Sequence, residues 1–111
     1  MNTDKTLHEI SLIYGSDKIE HGYIDIYKMY LDNIRNEKLK ILEIGIADGK
    51  SLLTWSDYFK NSLIVGIDIH KIDIVEKKLN RQNIEVHQGS QNDASFINRI
   101  IELYGKFDVI I

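Results

Sequence analysis

Residues 41 to 49 read Ile-Leu-Glu-Ile-Gly-Ile-Ala-Asp-Gly, a Glu43-x-Gly45-x-x-x-Gly49 turn between an apolar run and an amphipathic stretch. Gly45 permits a tight turn and lets a ligand approach the backbone with no Cβ in the way, while Gly49 permits close packing where the next helix begins. Glu43, at the carboxyl end of its strand, can accept hydrogen bonds from a cationic amine or a ribose, and a helix N-terminus offers N–H groups to a carboxylate. Such a set suits an amino-acid-like group better than a diphosphate. The dinucleotide fingerprint Gly-x-Gly-x-x-Gly wants glycine where this chain has Ala47, and Glu43 adds negative charge beside it. The turn also reads as a plain connection whose glutamate bonds its own backbone.

A second acid stands where such a site needs one. Asp68 follows Gly49 by 19 residues, the offset at which doubly wound folds place a carboxylate for the two ribose hydroxyls. Capping of the following helix is its structural alternative. Further on, Gly89-Ser90-Gln91-Asn92-Asp93 falls where the same cleft would close around the far end of a nucleoside, and its amides and carboxylate suit the exocyclic amine of adenine. Asn92 or Asp93 also serves as an N-cap for the last helix.

The elements that must position these residues follow from hydrophobic period. Leu7, Ile10, Ile13 and Tyr14 predict a helix over about Thr3 to Tyr14, with Gly15 as its left-handed stop. Tyr23, Ile26, Tyr27, Tyr30, Leu31 and Ile34 predict a second over about Tyr23 to Arg35. From Leu39 the pattern becomes β-α-β-α-β-α-β. Strands are expected around Lys40 to Gly45, Leu63 to Ile69, Ile84 to His87 and Phe107 to Ile111, with helices after Gly49, over about Ile72 to Asn80 and over about Ala94 to Tyr104. Apolar strands alternating with helices imply a parallel sheet covered on both faces, and right-handed crossovers restrict it to an α/β, Rossmann-like, doubly wound sheet of order 3-2-1-4. The domain reading is 1–38 as an N-terminal helical lid and 39–111 as the first part of a Rossmann-like domain. The last strand ends in Val109-Ile110-Ile111 with no turn or cap, so the expectation is an interrupted domain or, failing that, a homo-oligomer through that edge.

Composition narrows the classes. In 111 residues, 14 Lys+Arg stand against 17 Asp+Glu, 43% are hydrophobic and none is Cys. Disulfides, thiolate metal sites and cysteine nucleophiles are therefore excluded. A net charge of −3 with scattered basic residues argues against nucleic acid as a partner. No apolar run approaches a membrane span, and the polar, acid-containing start Met1-Asn2-Thr3-Asp4-Lys5 lacks a secretory signal, so no membrane partner and a cytoplasmic location are expected.

The combined motifs resemble class I S-adenosylmethionine-dependent methyltransferases. The glycine turn followed by Gly66-Ile67-Asp68 is similar to that superfamily's first two motifs. More narrowly, Tyr14-Gly15-Ser16-Asp17-Lys18 with His21, Tyr23 and Tyr27, then Leu42-Glu43-Ile44-Gly45, Trp55, Phe59, Gly66-Ile67-Asp68-Ile69 and Gly89-Ser90-Gln91-Asn92-Asp93, is similar to a bacterial group of sugar and macrolide-glycoside O-methyltransferases that includes cephalosporin-hydroxylase-like proteins. The resemblance implies S-adenosylmethionine as cofactor and a glycoside hydroxyl as methyl acceptor. It implies that Glu43, Gly45 and Gly49 border the methionine and ribose, that Asp68 holds the ribose hydroxyls, and that Gln91 and Asp93 lie near adenine. Ser16 and Tyr23 would reach the methionine carboxylate from the N-terminal helices. In the family, an Asp-Asp-Gly-Ser-His segment after strand four binds a divalent metal such as Mg and offers a histidine base. This chain ends at Ile111 before such a segment, so no catalytic or metal-binding residue is assigned and the chain alone is expected to be inactive.

Other features point elsewhere. His8, His21, His70 and His87 lack ligand spacing on one helix face. Lys71, Lys77, Lys78 and Arg81 read as a solvated helix face. Two rival functions share the turn and Asp68: a non-catalytic nucleotide-binding module, and an NAD-dependent oxidoreductase whose pyrophosphate would have to tolerate Ala47 and Glu43.

Overall fold

The structure is a computed structural model that describes residues 5–15, 23–46, 49–70 and 81–111. The helix expected over about Ile72 to Asn80 lies outside the described residues.

Helix α1 spans Leu7–Tyr14. It starts later than the apolar period suggests because Thr6 takes the N-cap: its hydroxyl accepts from Glu9 N at 3.1 Å, and the Glu9 carboxylate accepts from Thr6 N at 3.2 Å. Gly15, at φ 66°, closes it as expected, its N–H donating to Ser11 O at 2.8 Å. Helix α2 spans Tyr23–Leu31, one turn short of the sequence expectation. The chain tightens there into turns, Ile34 N donating to Leu31 O and Glu37 N to Ile34 O at 3.0 Å each, while the Tyr58 hydroxyl donates to Asp32 and the Arg35 guanidinium lies 4.2 Å over the Tyr58 ring.

Strand β1 (Lys40–Ile44) leads through the glycine loop into α3 (Lys50–Tyr58), followed by β2 (Leu63–Asp68), β3 (Ile84–Gln88), α4 (Ala94–Tyr104) and β4 (Val109–Ile110). The four strands form one parallel sheet of order β3-β2-β1-β4, the order that the crossover rule predicts. Only two residues of β4 enter the ladder, yet pairing with β1 extends to both sides, through Asp108 N to Lys40 O at 2.8 Å and Ile44 N to Ile111 O at 3.0 Å.

Side-chain alternation splits the core between the two faces. Ile41 and Ile64 join Leu7, Ile10, Leu31, Leu52, Trp55, Tyr58 and Phe59 on the α3 face. On the other, Leu42, Val65 and Ile67 pack against Phe96 and Ile100 of α4. Gly66 lets the α3 layer come close, since a Cβ there would stand 2.7 Å from Ile46 and 3.0 Å from Leu52.

Candidate cofactor cleft

Parallel strands bring their carboxyl ends to one edge of the sheet, and there the glycine loop, the tip of β2 and the loop after β3 meet. Gly45, at φ 81°, turns the chain away from β1 while its N–H donates to Ile67 O at 2.8 Å. Gly49, at φ 87°, is the N-cap of α3 and offers no side chain to the first-turn N–H groups. Its own N–H closes the loop onto Ile46 O at 2.8 Å. Both glycines thus occupy left-handed backbone that other residues adopt at a cost.

Asp68 ties the loops together. One carboxylate oxygen accepts from Ile46 N and the other from His70 N, each at 2.9 Å, while its carbonyl accepts from Gly89 N at 2.8 Å. The resulting cleft has a volume of about 140 Å³ and is lined by Ile44, Gly45, Ile67, Asp68, Ile69, Gly89 and Gln91. Complete small-molecule sites usually measure roughly 300–1,000 Å³, so these walls have room for only one moiety of a ligand of that size. The cleft lining is apolar apart from Asp68 and Gln91, a chemistry suited to a flat heterocycle joined to a hydroxylated ring.

Of the residues singled out in the sequence, Gly45, Asp68 and Gln91 share this cleft. Asp93 does not line it; its Oδ1 caps α4 by accepting from Ser95 N at 3.0 Å and Phe96 N at 3.2 Å. Glu43 is not among the lining residues. Alternation along β1 turns it with Ile41 toward α3, where it is fully buried and accepts from Ser51 Oγ at 2.7 Å and Trp55 Nε1 at 2.9 Å. Neither bond is to its own backbone; the donors Ser51 and Trp55, one helical turn apart on α3, were the sequence signal for this arrangement. Ser16 lies outside the described residues, as does the side chain of Tyr23.

The N-terminal helices belong to the opposite face from α4. Tyr27 of α2 meets Trp55 edge-on at 5.4 Å. The end of α1 is held at the far end of α3: the Tyr14 hydroxyl bonds to Asp57, and Arg81 pairs with Asp57 and donates to Tyr14 at 2.6 Å. Arg81 is therefore half-buried in an ion pair, which corrects its reading as part of a solvated basic face. Among the described residues no three His, Asp or Glu side chains gather as metal ligands, and no helix is long and apolar enough to cross a membrane.

Comparison with known proteins agrees with this geometry. No protein-family profile matches the chain. It is 32% identical over 95% of its length to mycinamicin VI 2''-O-methyltransferase of Micromonospora griseorubida, and 33% identical over 99% of its length to L-olivosyl-oleandolide 3-O-methyltransferase of Streptomyces antibioticus, covering 28% and 30% of those proteins. Among solved structures, the MycE methyltransferase of the mycinamycin pathway, in complex with Mg, SAH and mycinamycin VI, superposes with a TM-score of 0.83 at 31% identity, over 97% of this chain and 31% of that one. Fold and sequence relate this chain to the S-adenosylmethionine-dependent methyltransferases, with a Rossmann-like sheet. Among them, this chain is related to the bacterial sugar and macrolide O-methyltransferases and spans about 30% of the length of the relatives it matches.

Proposed function

We propose that the chain forms the cofactor-binding part of an S-adenosylmethionine-dependent enzyme that, as a complete protein, methylates a sugar hydroxyl of a glycoside. The observation that carries this reading is the cleft at the strand ends, with Asp68 between the glycine loop and Gly89. A carboxylate has about four acceptor positions. Ile46 N and His70 N each donate to one of its oxygens, and the ribose hydroxyls would donate to the same carboxylate. Gln91 would meet the adenine amine over the apolar walls of Ile44, Ile67 and Ile69, with Asp93 near the same end. Gly45 and Gly49 would leave room for the methionine portion, while Ser16 and Tyr23 are assigned to its carboxylate on the resemblance alone, with residues 1–38 as the covering segment.

The cofactor's sulfonium supplies the driving force for methyl transfer. The protein's share is then to align acceptor and methyl in line and to take up the hydroxyl proton. That proton acceptor, and the Mg found with the relative, are assigned to no residue of this chain.

Calorimetry with SAH and NAD tests the reading: SAH binds and NAD does not. Asp68→Ala lowers SAH affinity by roughly 30- to 100-fold, the worth of two charge-assisted hydrogen bonds, while the chain stays folded. Tighter binding of NAD than of SAH would overturn the methyltransferase assignment, and a large drop in thermal stability at unchanged affinity would reduce Asp68 to a helix cap.

A further inference from the structure

The geometry points to Glu43 as a positioning residue that staples the base of the glycine loop to α3, leaving Asp68 as the carboxylate that faces the ligand. This inference rests on the cofactor cleft proposed above. Glu43 lies two residues before Gly45, and Ser51 two residues after Gly49. Their hydrogen bond at 2.7 Å therefore closes the loop across its base. The second carboxylate oxygen holds Trp55 Nε1 at 2.9 Å, one turn further along α3, so the helix is fixed in rotation as well as in distance. All three residues are buried, Glu43 and Trp55 completely. A carboxyl group that deep is tolerated only when its oxygens are matched, and removing one partner costs the desolvation of the other.

The loop is held just after Gly45 as well, where Ile46 N donates to Asp68. These two points are thus pinned by two different acids, and only the one at Ile46 is pinned by a residue that lines the cleft. Trp55 carries the constraint further: its ring meets Tyr27 of α2 at 5.4 Å, so the same carboxylate sets the seat of the helix that starts at Tyr23. Glu43 would influence cofactor binding through loop shape, without touching the cofactor.

A double-mutant cycle in the full chain decides this, with SAH as the probe. Glu43→Gln and Ser51→Ala each weaken SAH binding about tenfold, the worth of one broken buried hydrogen bond, and the double variant is no weaker than the stronger single one, because both remove the same staple. Amide exchange at Ile46 and Gly49, followed by NMR without ligand, quickens in both variants while the β2 amides keep their protection. Emission from Trp55, the sole tryptophan, shifts in Glu43→Gln. Independent, multiplicative losses of affinity would mean that Glu43 contacts the cofactor directly and would overturn the inference. So would unchanged exchange at Ile46 and Gly49. Should Glu43→Gln fail to fold, Ser51→Ala with Trp55→Phe runs the same cycle on the two donors. Failure of the unmodified chain to bind SAH would count against the cofactor reading, while the exchange measurement would still judge the staple.

Discussion

On the α3 face of the sheet, Leu7, Ile41, Leu52, Trp55, Tyr58, Phe59 and Ile64 are all fully buried, and the acid that points into this layer, Glu43, has its oxygens met by side chains of one helix. The α4 face is thinner. Leu42, Val65, Ile67, Phe96 and Ile100 form its buried part, while Ile101, Leu103 and Ile110 remain exposed. At the open carboxyl edge, Asp68 has its oxygens met by backbone N–H groups of two loops and still lines a cleft. Two carboxylates near neighbouring strand tips therefore have different surroundings, and the difference comes from which way each side chain leaves the backbone. One acid is enclosed in a packed layer; the other borders an open edge.

The largest expected effect lies in the sealed layer. Trp55→Ala removes a fully buried indole and leaves Glu43 Oε2 without that donor, so it should cost about 3–5 kcal/mol, read as a lower denaturation midpoint. If the two faces differed only in depth, Phe96→Ala on the α4 side would cost as much; a smaller loss there sharpens the contrast.

Glycines on the two sides give a finer comparison. Gly66→Ala drives a Cβ to 2.7 Å from Ile46 and 3.0 Å from Leu52 in the sealed layer, whereas Gly89→Ala meets the Phe96 ring at 2.5 Å beside the cleft. Overpacking of this kind costs roughly 1–3 kcal/mol. Gly66→Ala should lower stability with little change in the SAH affinity of the folded fraction, while Gly89→Ala should lower affinity as the ring and cleft floor give way. Equal effects on both readouts would erase the distinction between faces.

The smallest effect is a pH dependence on the α4 side. Burial, and then Glu85, push the Tyr104 hydroxyl up to about 12 from its usual 10.0. Folding thus favours the neutral phenol, so its stabilising contribution is intact below pH 10 and fades as the pH rises through about 12. Tyr104→Phe should flatten the alkaline limb of a stability–pH curve, and an unchanged limb would assign that dependence elsewhere.

Much of the architecture is legible from period alone. Strand order and α4, with Asp93 as one of two candidate caps, follow from apolar spacing and cap chemistry, and the structure selects Asp93. The last turn expected of α2 tightens instead into turns, with Ile34 N on Leu31 O and Glu37 N on Ile34 O at 3.0 Å each, a change of winding that apolar period does not register. Glu43 shows the same limit at the site. Its place near a strand end suggested a ligand-facing group, but an apolar run does not reveal which residue faces which layer until the partner helix is known, and Ser51 and Trp55 decide it. Asp68 lines the cleft from the tip of β2, a placement that its position between strand and turn already suggested.

The joint among Tyr14, Asp57 and Arg81 has a consequence during synthesis. Its outer members are 67 residues apart in the chain, so α1 leaves the ribosome well before Arg81 and cannot complete its anchorage until Arg81 has followed. Until then its apolar side has only a partial bed, and a chaperone would have its best chance to act in that interval.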